Sequence, residues 1–135
     1  MGQQRNLALH VAVVGVVDDD PAVRNSLKFS LEIEGLAVAV YANADDLLKD
    51  SDLARFNCLV VDQRLPGLSG LDLVAELRDR QLGVPVILIT SQPSRAVMAQ
   101  ADKAGVPIVE KPLLGNALLD KIRVLVVPPT PPSAC

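Results

Sequence analysis

The sequence contains few aromatic residues and few cysteines. Its 135 residues include no tryptophan, one tyrosine, two phenylalanines and two cysteines, although half of the chain is apolar. A hydrophobic core must therefore be built from valine, leucine, isoleucine and alanine. Cys58 lies within an apolar run and Cys135 is the last residue printed. Two such cysteines do not make the disulfide framework of a small secreted domain, and they favour a reducing compartment.

Histidine, clustered positive charge and long apolar runs are also scarce. His10 is the only histidine, so a Ser-His-Asp triad or a histidine-rich metal site has no support. The net charge of −3, without a stripe of lysine or arginine, argues against binding to nucleic acid or to an anionic membrane. No apolar run is long enough to span a bilayer. The first run ends in three carboxylates rather than in the cleavage site of a signal peptide, and we expect a cytoplasmic location.

Apolar runs of strand length alternate with segments of helical period. The runs fall at residues 11–17, 36–41, 58–61, 85–90 and 107–110, and helical patterns follow at residues 21–34, 43–50, 71–78, 94–104 and 114–126. Continuous runs rich in valine are typical of strands buried on both faces. Five strand-then-helix units predict an α/β fold, a doubly wound, five-stranded parallel sheet with helices on both faces. We expect an N-terminal extension at residues 1–10, one domain at 11–126 and a Pro-rich tail or linker at 127–135.

Three consecutive carboxylates, Asp18–Asp20, directly follow the first apolar run. Pro21 suits the first turn of a helix and Asp20 suits its N-cap, so the triplet alone can be a solvated loop with a cap. The alternative is that Asp18 and Asp19 share a cation with Asp62, which follows the third strand. Ligands of parallel sheets bind beyond the carboxyl ends of the strands. Oxygen ligands with open positions suit Mg²⁺.

A hydroxyl and an ammonium complete this edge of the predicted sheet. Thr90 follows the fourth strand and Lys111 follows the fifth. The lysine offers a compact positive charge for an anion, and the threonine can donate to a phosphoryl oxygen. A carboxylate can act as the nucleophile that forms an aspartyl phosphate. Each residue alone has an ordinary structural interpretation, but together they predict a phosphoryl-transfer site.

Four stretches carry a family resemblance: VVDDDPAVR, CLVVDQRLPGLSGLDL, PVILITSQ and AGVPIVEKPL. With them, the chain resembles the receiver domain of two-component response regulators, over roughly residues 11–126. It looks most like the receivers that precede helix-turn-helix transcription domains. The motifs are specific in combination rather than one by one. The resemblance implies a flavodoxin-like, CheY-like fold.

The resemblance also implies a function and a set of site residues. The domain would take a phosphoryl group from a sensor histidine kinase with Mg²⁺ or Mn²⁺. It would catalyse its own phosphorylation and dephosphorylation without being a turnover enzyme, and it could form a homodimer through its fourth and fifth helices. The implied residues are Asp62 as phosphoacceptor; Asp18, Asp19, Asp62 and the main-chain carbonyl of Arg64 as metal ligands; Thr90 and Lys111 as catalytic partners; Thr90 and Ile108 as switch residues; and Pro112 as a cis proline.

The chain departs from the family pattern at two positions. Ile108 stands where receivers commonly have tyrosine or phenylalanine, and Leu113 stands where phenylalanine is usual. The coupling between Thr90 and the output face is therefore in question. Arg64 and Gln92 occupy positions that tune the lifetime of the phosphoryl group in this family.

Two rival functions remain open at the level of sequence. Asp18–Asp20 contains the Asp-x-Asp of haloacid-dehalogenase-type hydrolases, and Thr90 and Lys111 could be their second and third motifs. That family needs a further acidic metal motif after the lysine, where this chain has only Asp120 in a predicted helix. The other rival is a receiver-like interaction module that works without phosphorylation. Its intact site residues argue against it, and Ile108 argues for it.

Overall fold

The computed structural model describes residues 11–126. The predicted extension at residues 1–10 and the tail or linker at 127–135 lie outside them. Five strands alternate with five helices, as predicted, and a short 3₁₀ helix at Leu53–Arg55 was not predicted. The elements are β1 (Val13–Val17), α1 (Pro21–Ile33), β2 (Ala37–Tyr41), α2 (Ala44–Leu48), β3 (Cys58–Asp62), α3 (Gly70–Asp79), β4 (Val86–Thr90), α4 (Arg95–Ala104), β5 (Ile108–Glu110) and α5 (Ala117–Val126).

The strands form one parallel sheet in the order β2-β1-β3-β4-β5. The strand order reverses on either side of β1, and such a reversal opens a crevice at the carboxyl ends of the strands. Val17 pairs with Val61 across β1 and β3, so the residues that follow them are neighbours at this edge. This topology confirms the predicted doubly wound α/β fold.

Alternate residues of the strands pack into two separate cores. Val61 and Leu88 lie in the core that contains the buried residues of α2, α3 and α4. Val60 and Ile89 lie in the core shared with α1 and α5. Burial of both faces explains why the strands read as unbroken apolar runs. Cys58 is a free, fully buried thiol of the second core, and burial raises its pKa to about 12.

Polar side chains fix where the helices begin. The carboxylate of Asp20 accepts the Ala22 N–H at 2.9 Å, which confirms Asp20 as the N-cap of α1. Asn43 caps α2. Ser69 and Asp72 form a capping box at the start of α3, one turn in which both side chains satisfy helical N–H groups.

Several predicted boundaries were wrong by a few residues. The first strand begins at Val13 rather than at residue 11, because Val11 is half exposed. The last helix begins at Ala117 rather than at residue 114, because Gly115 has a left-handed φ of 71° that interrupts a helix. The second helix covers only Ala44–Leu48 of the predicted 43–50. Within residues 11–126, no helix is both long and apolar enough to cross a membrane.

Candidate functional site

Four polar side chains meet at the carboxyl edge of the sheet. Asp18 directly follows β1, Asp62 ends β3, Thr90 ends β4 and Lys111 directly follows β5. Asp18, Asp62 and Thr90 are the buried polar residues of the described range, with 0%, 4% and 2% of their surface exposed. Polar groups are rarely buried so completely unless they are paired.

Lys111 joins the two buried carboxylates. Its Nζ lies 2.9 Å from Oδ2 of Asp18 and 3.2 Å from Oδ2 of Asp62. The ammonium itself is largely buried, with 19% of the side chain exposed. The structure therefore brings Lys111 next to Asp18 and Asp62, although the three residues are far apart in the sequence.

Asp18 has a partner for each of its polar atoms. Its Oδ1 accepts the Asp20 N–H at 2.9 Å, while Oδ2 binds Lys111. Its main-chain N–H donates to the Tyr41 carbonyl at 3.1 Å. Its main-chain carbonyl accepts Nη1 of Arg24 at 2.8 Å. The carboxylate of Asp18 is thus held in one orientation.

Asp62 is held by the loop that connects β3 to α3. Its Oδ1 accepts the Arg64 N–H at 3.1 Å. The loop closes on itself, because the Gly70 N–H donates to the Gln63 carbonyl at 3.1 Å and the Gln63 side chain accepts the Leu71 N–H at 2.9 Å. A Cβ atom added at Gly70 would lie 2.8 Å from the main-chain oxygen of Asp62. The start of α3 is therefore pressed against the backbone of Asp62.

The charges of the site are not balanced. One oxygen from each of Asp18, Asp19 and Asp62 lies within 4.8 Å of the others. With all groups charged, three carboxylates face one ammonium, and the nearby Arg24 guanidinium bonds to the main chain of Asp18 rather than to a carboxylate, so the site keeps an excess of negative charge. Burial, followed by the charge of Asp18, raises the pKa of Asp62 despite hydrogen bonds from Arg64 and Lys111. Burial alone would lower the pKa of Lys111, but its bonds and attraction to Asp18 and Asp62 produce a net rise.

This donor set fits a hard divalent cation. The ligands are all carboxylate oxygens, two of them pre-oriented, and the exposed Asp19 leaves one side of the cluster open to solvent. Mg²⁺ takes oxygen ligands and retains several waters, which suits an open cluster of a few carboxylates. The carbonyl of Arg64 as a further ligand stays a prediction.

The remaining predicted residues surround this cluster. The Thr90 hydroxyl donates only a long hydrogen bond, 3.5 Å, to the Ser91 carbonyl. Ile108 is half-buried, pairs with Leu88 and packs into the core that contains α4. The Lys111–Pro112 peptide is cis, and the Arg64 guanidinium reaches the Ser91 carbonyl at 3.4 Å. The functional roles of these residues stay predictions.

Sequence reasoning did not assign a role to Arg24 or to Gly70. A signal for Arg24 was available, because a cation near the start of a helix opposes the helix dipole and needs a reason. A signal for Gly70 was weaker, since glycine in a Pro- and Gly-containing loop is read as a turn residue. Its close approach to Asp62 appears only in three dimensions.

Comparison with known proteins identifies the family. Residues 14–123 match the response regulator receiver domain. The chain is 36% identical over 111 residues to the transcriptional regulatory protein FixJ of Rhizobium meliloti, which covers 82% of this chain and 54% of that protein. It is 38% identical over 112 residues to nodulation protein W of Bradyrhizobium diazoefficiens, covering 82% and 49%. The chain thus spans about half the length of the curated relatives it matches.

Solved structures agree with this assignment. The response regulator StyR is similar with a TM-score of 0.80 and 34% identity, covering 86% of this chain and 59% of that one. The structure of FixJ-N is similar with a TM-score of 0.76 and 32% identity, covering 85% and 93%. These matches confirm the predicted resemblance to receivers of transcription regulators and do not favour the dehalogenase or phosphorylation-independent alternatives. The chain belongs to the response regulator receiver domains, the phosphorylation-dependent signalling modules of two-component systems.

Proposed function

We propose that Asp62 is the phosphoacceptor of this receiver domain and takes its phosphoryl group from the phosphohistidine of a sensor kinase. The observation that supports this assignment is the pairing of Asp62 and Asp18 with the single ammonium of Lys111. A site with an excess of negative charge is suited to a cation, which in turn can hold an incoming phosphoryl group. Response regulators of this type are phosphorylated by sensor kinases.

The transfer is a nucleophilic displacement at phosphorus. A carboxylate oxygen of Asp62 forms the new O–P bond, the P–N bond to the kinase histidine breaks, and the imidazole leaves with the electron pair and takes up a proton. Asp18, Asp19, Asp62 and the Arg64 carbonyl would hold Mg²⁺ or Mn²⁺, which neutralises charge on the carboxylates and the phosphoryl oxygens. Water attack on the same phosphorus returns Asp62 to its free state.

Lys111 and Thr90 are the proposed partners of the phosphoryl anion. The Lys111 ammonium, shared between Asp18 and Asp62 in the free protein, turns to a phosphoryl oxygen once Asp62 carries the acyl phosphate. The Thr90 hydroxyl is weakly held at 3.5 Å and is free to donate to another. Ile108 lies on the strand beside Thr90 and would repack as Thr90 moves. The phosphoryl group then shifts the population between two states of the α4 and α5 face.

The proposed partners follow from this chemistry. A groove of 510 Å³ between α1 and the segment after β5 includes Lys111 in its lining, which supports the proposal that the phosphoryl donor docks beside the site. Exposed Met98 on α4 and Val124 on α5 support a homodimer through that face. The net charge of −3 argues against direct contact between this chain and nucleic acid. Transfer from a kinase phosphohistidine is a cytoplasmic reaction, so we propose that location as well.

Phosphoryl labelling tests the assignment. The protein is incubated with acetyl phosphate and Mg²⁺, and its intact mass is measured with and without a chelator. We expect one phosphoryl adduct that requires the metal, is absent in Asp62→Asn and persists in Asp79→Asn, which removes an exposed carboxylate at the end of α3. An undiminished adduct in Asp62→Asn would overturn the site. No adduct in the wild type, with Mg²⁺ still bound, would favour an interaction module that works without phosphorylation.

A further inference from the structure

Arg24 occupies a position that is electrostatically unfavourable for a cation. It lies near the start of α1, where its N–H bonds to the Asp20 carbonyl at 3.0 Å and where the helix presents its positive end. Within residues 11–126 it forms no salt bridge that would offset this cost. The side chain is partly buried rather than extended into solvent.

The guanidinium instead bonds to the backbone of the acidic cluster. Nη1 of Arg24 donates to the main-chain oxygen of Asp18 at 2.8 Å. That oxygen belongs to the peptide that joins Asp18 to Asp19. The bond therefore fixes the orientation of the peptide plane that leads into Asp19.

Asp19 depends on its backbone for its orientation. Its side chain is exposed, whereas Asp18 is completely buried and has a partner on each carboxylate oxygen. Asp19 has no side-chain hydrogen bond to any residue in the 11–126 range. Its carboxylate nevertheless lies within 4.8 Å of the oxygens of Asp18 and Asp62. Within residues 11–126, the position of this carboxylate therefore depends on the backbone that leads into Asp19 rather than on a side-chain hydrogen bond.

We propose that Arg24 is a positioning residue for the divalent cation, which it serves by fixing the Asp18–Asp19 peptide and aiming the Asp19 carboxylate. This role of Arg24 rests on the proposed metal-dependent phosphorylation of Asp62, because it concerns the metal ion of that reaction. Arg24 does not touch the ion or the phosphoryl group. It acts through the geometry of the ligand Asp19.

Charge alone predicts the opposite effect. A guanidinium near the cluster repels a divalent cation, so its removal would strengthen Mg²⁺ binding if Arg24 acted only through its field. If Arg24 acts by positioning, its removal weakens binding, because the Asp19 carboxylate must be ordered when the ion binds. The sign of the change in affinity therefore separates the two roles.

The test is a calorimetric titration of Mg²⁺ and Mn²⁺ into the wild type, Arg24→Ala, Arg24→Lys and Arg24→Met. We expect Arg24→Ala to weaken binding about three- to tenfold, the effect of one hydrogen bond of ordinary strength. Arg24→Lys should restore most of the affinity, since an ammonium can bond to the same carbonyl. Lys28→Ala is the matched control, because it removes a cation of the same helix whose salt bridge, within residues 11–126, is with the exposed Glu32. Its affinity should change less than twofold.

A metal-free measurement completes the test. Backbone ¹⁵N relaxation should show a lower order parameter for the Asp19 amide in Arg24→Ala than in the wild type or Lys28→Ala. If Arg24→Ala does not fold, Arg24→Met against Arg24→Lys gives the same comparison, because methionine keeps an aliphatic stem without a hydrogen-bond donor. Binding by Arg24→Ala or Arg24→Met as tight as or tighter than that of the wild type would overturn the positioning role. A wild type that binds no Mg²⁺ would instead refute the proposed metal-dependent function itself.

Discussion

Two clusters of polar and charged side chains in this domain differ in how their charge is balanced. In the first, Asp62 and Asp18 share the ammonium of Lys111, and a third carboxylate is close by. In the second, at the end of β2, Asp50 accepts the Tyr41 hydroxyl at 2.6 Å and the Arg55 guanidinium at 2.8 Å. The first cluster contains two buried carboxylates and is short of positive charge, whereas the second has one charge of each sign.

The two aspartates respond in opposite directions. Burial raises the pKa of Asp62, whereas the Arg55 hydrogen bond, followed by those of Tyr41 and Asp52, holds the pKa of Asp50 well below its usual range. A balanced cluster stabilises the folded chain. An unbalanced buried cluster costs stability and is retained where a ligand completes it, which is why perturbed groups concentrate at functional sites.

The largest effect on stability is expected for Lys111→Ala. It leaves Asp18 and Asp62 buried without their shared cation, and removing one partner of a buried ion pair costs about 2–4 kcal/mol when that partner is partly exposed. Urea unfolding without metal measures the loss, with the exposed Lys121→Ala on α5 as control. Mg²⁺ should restore more stability to Lys111→Ala than to the wild type, because it meets a more negative site. Equal restoration in both proteins would show that the ion does not bind among these carboxylates.

Gly70→Ala should have the next largest effect. The new Cβ would meet the Asp62 main-chain oxygen at 2.8 Å and Cδ1 of Leu88 at 2.6 Å, and such overpacking costs about 1–3 kcal/mol. Phosphoryl labelling should also slow, since the displaced backbone carries Asp62. Gly83→Ala is the control, because nothing lies within 4 Å of its added Cβ. Equal urea midpoints for the two variants would contradict the close packing of α3 on Asp62.

The pair Asp62→Asn and Asp50→Asn should change stability in opposite directions. In the absence of metal, Asp62→Asn removes a buried carboxylate whose charged form is disfavoured, and we expect a gain of about 1 kcal/mol, typical of relieving an active-site charge. Asp50→Asn removes the partner of Arg55 and should lower the urea midpoint. The two midpoints, measured at pH 7 in the presence of a chelator, test the comparison directly. A shift in the same direction for both would refute it.

The smallest effect concerns acid unfolding. The pKa of Asp50 is lower in the folded protein than its ordinary value of 3.8. Its contribution to stability is therefore complete above that value and is lost as the pH falls below it. Urea midpoints measured from pH 6 to pH 2 should fall less steeply below about pH 4 in Asp50→Asn than in the wild type. Parallel curves over that range would show that the Asp50 cluster does not favour the charged carboxylate.

The sheet edge could be predicted from sequence because each site residue directly follows a recognisable strand. The apolar runs place Asp18, Asp62 and Thr90 at strand ends. Because the strands are parallel, these ends lie at the same edge of the sheet. The bridge from Lys111 to both carboxylates could not be predicted, because it depends on distances between side chains at the ends of β1, β3 and β5.

The Asp50 cluster lay beyond sequence reasoning for a related reason. Its members, Tyr41, Asp50 and Arg55, are ordinary polar residues around an unpredicted 3₁₀ helix. The start of α5 was predicted wrongly because the sequence does not show that Gly115 adopts a left-handed backbone conformation.

The buried thiol of Cys58 gives this domain a built-in reporter of its own opening. It lies on the strand that ends in Asp62, and its pKa of about 12 keeps it in the unreactive thiol form. In a Cys135→Ser background, an alkylating reagent can modify the chain only when β3 separates from its neighbours. The alkylation rate would then measure how often β3 opens. A comparison of the free with the phosphorylated protein would show how much a phosphoryl group at one end of the strand stabilises the other end against opening.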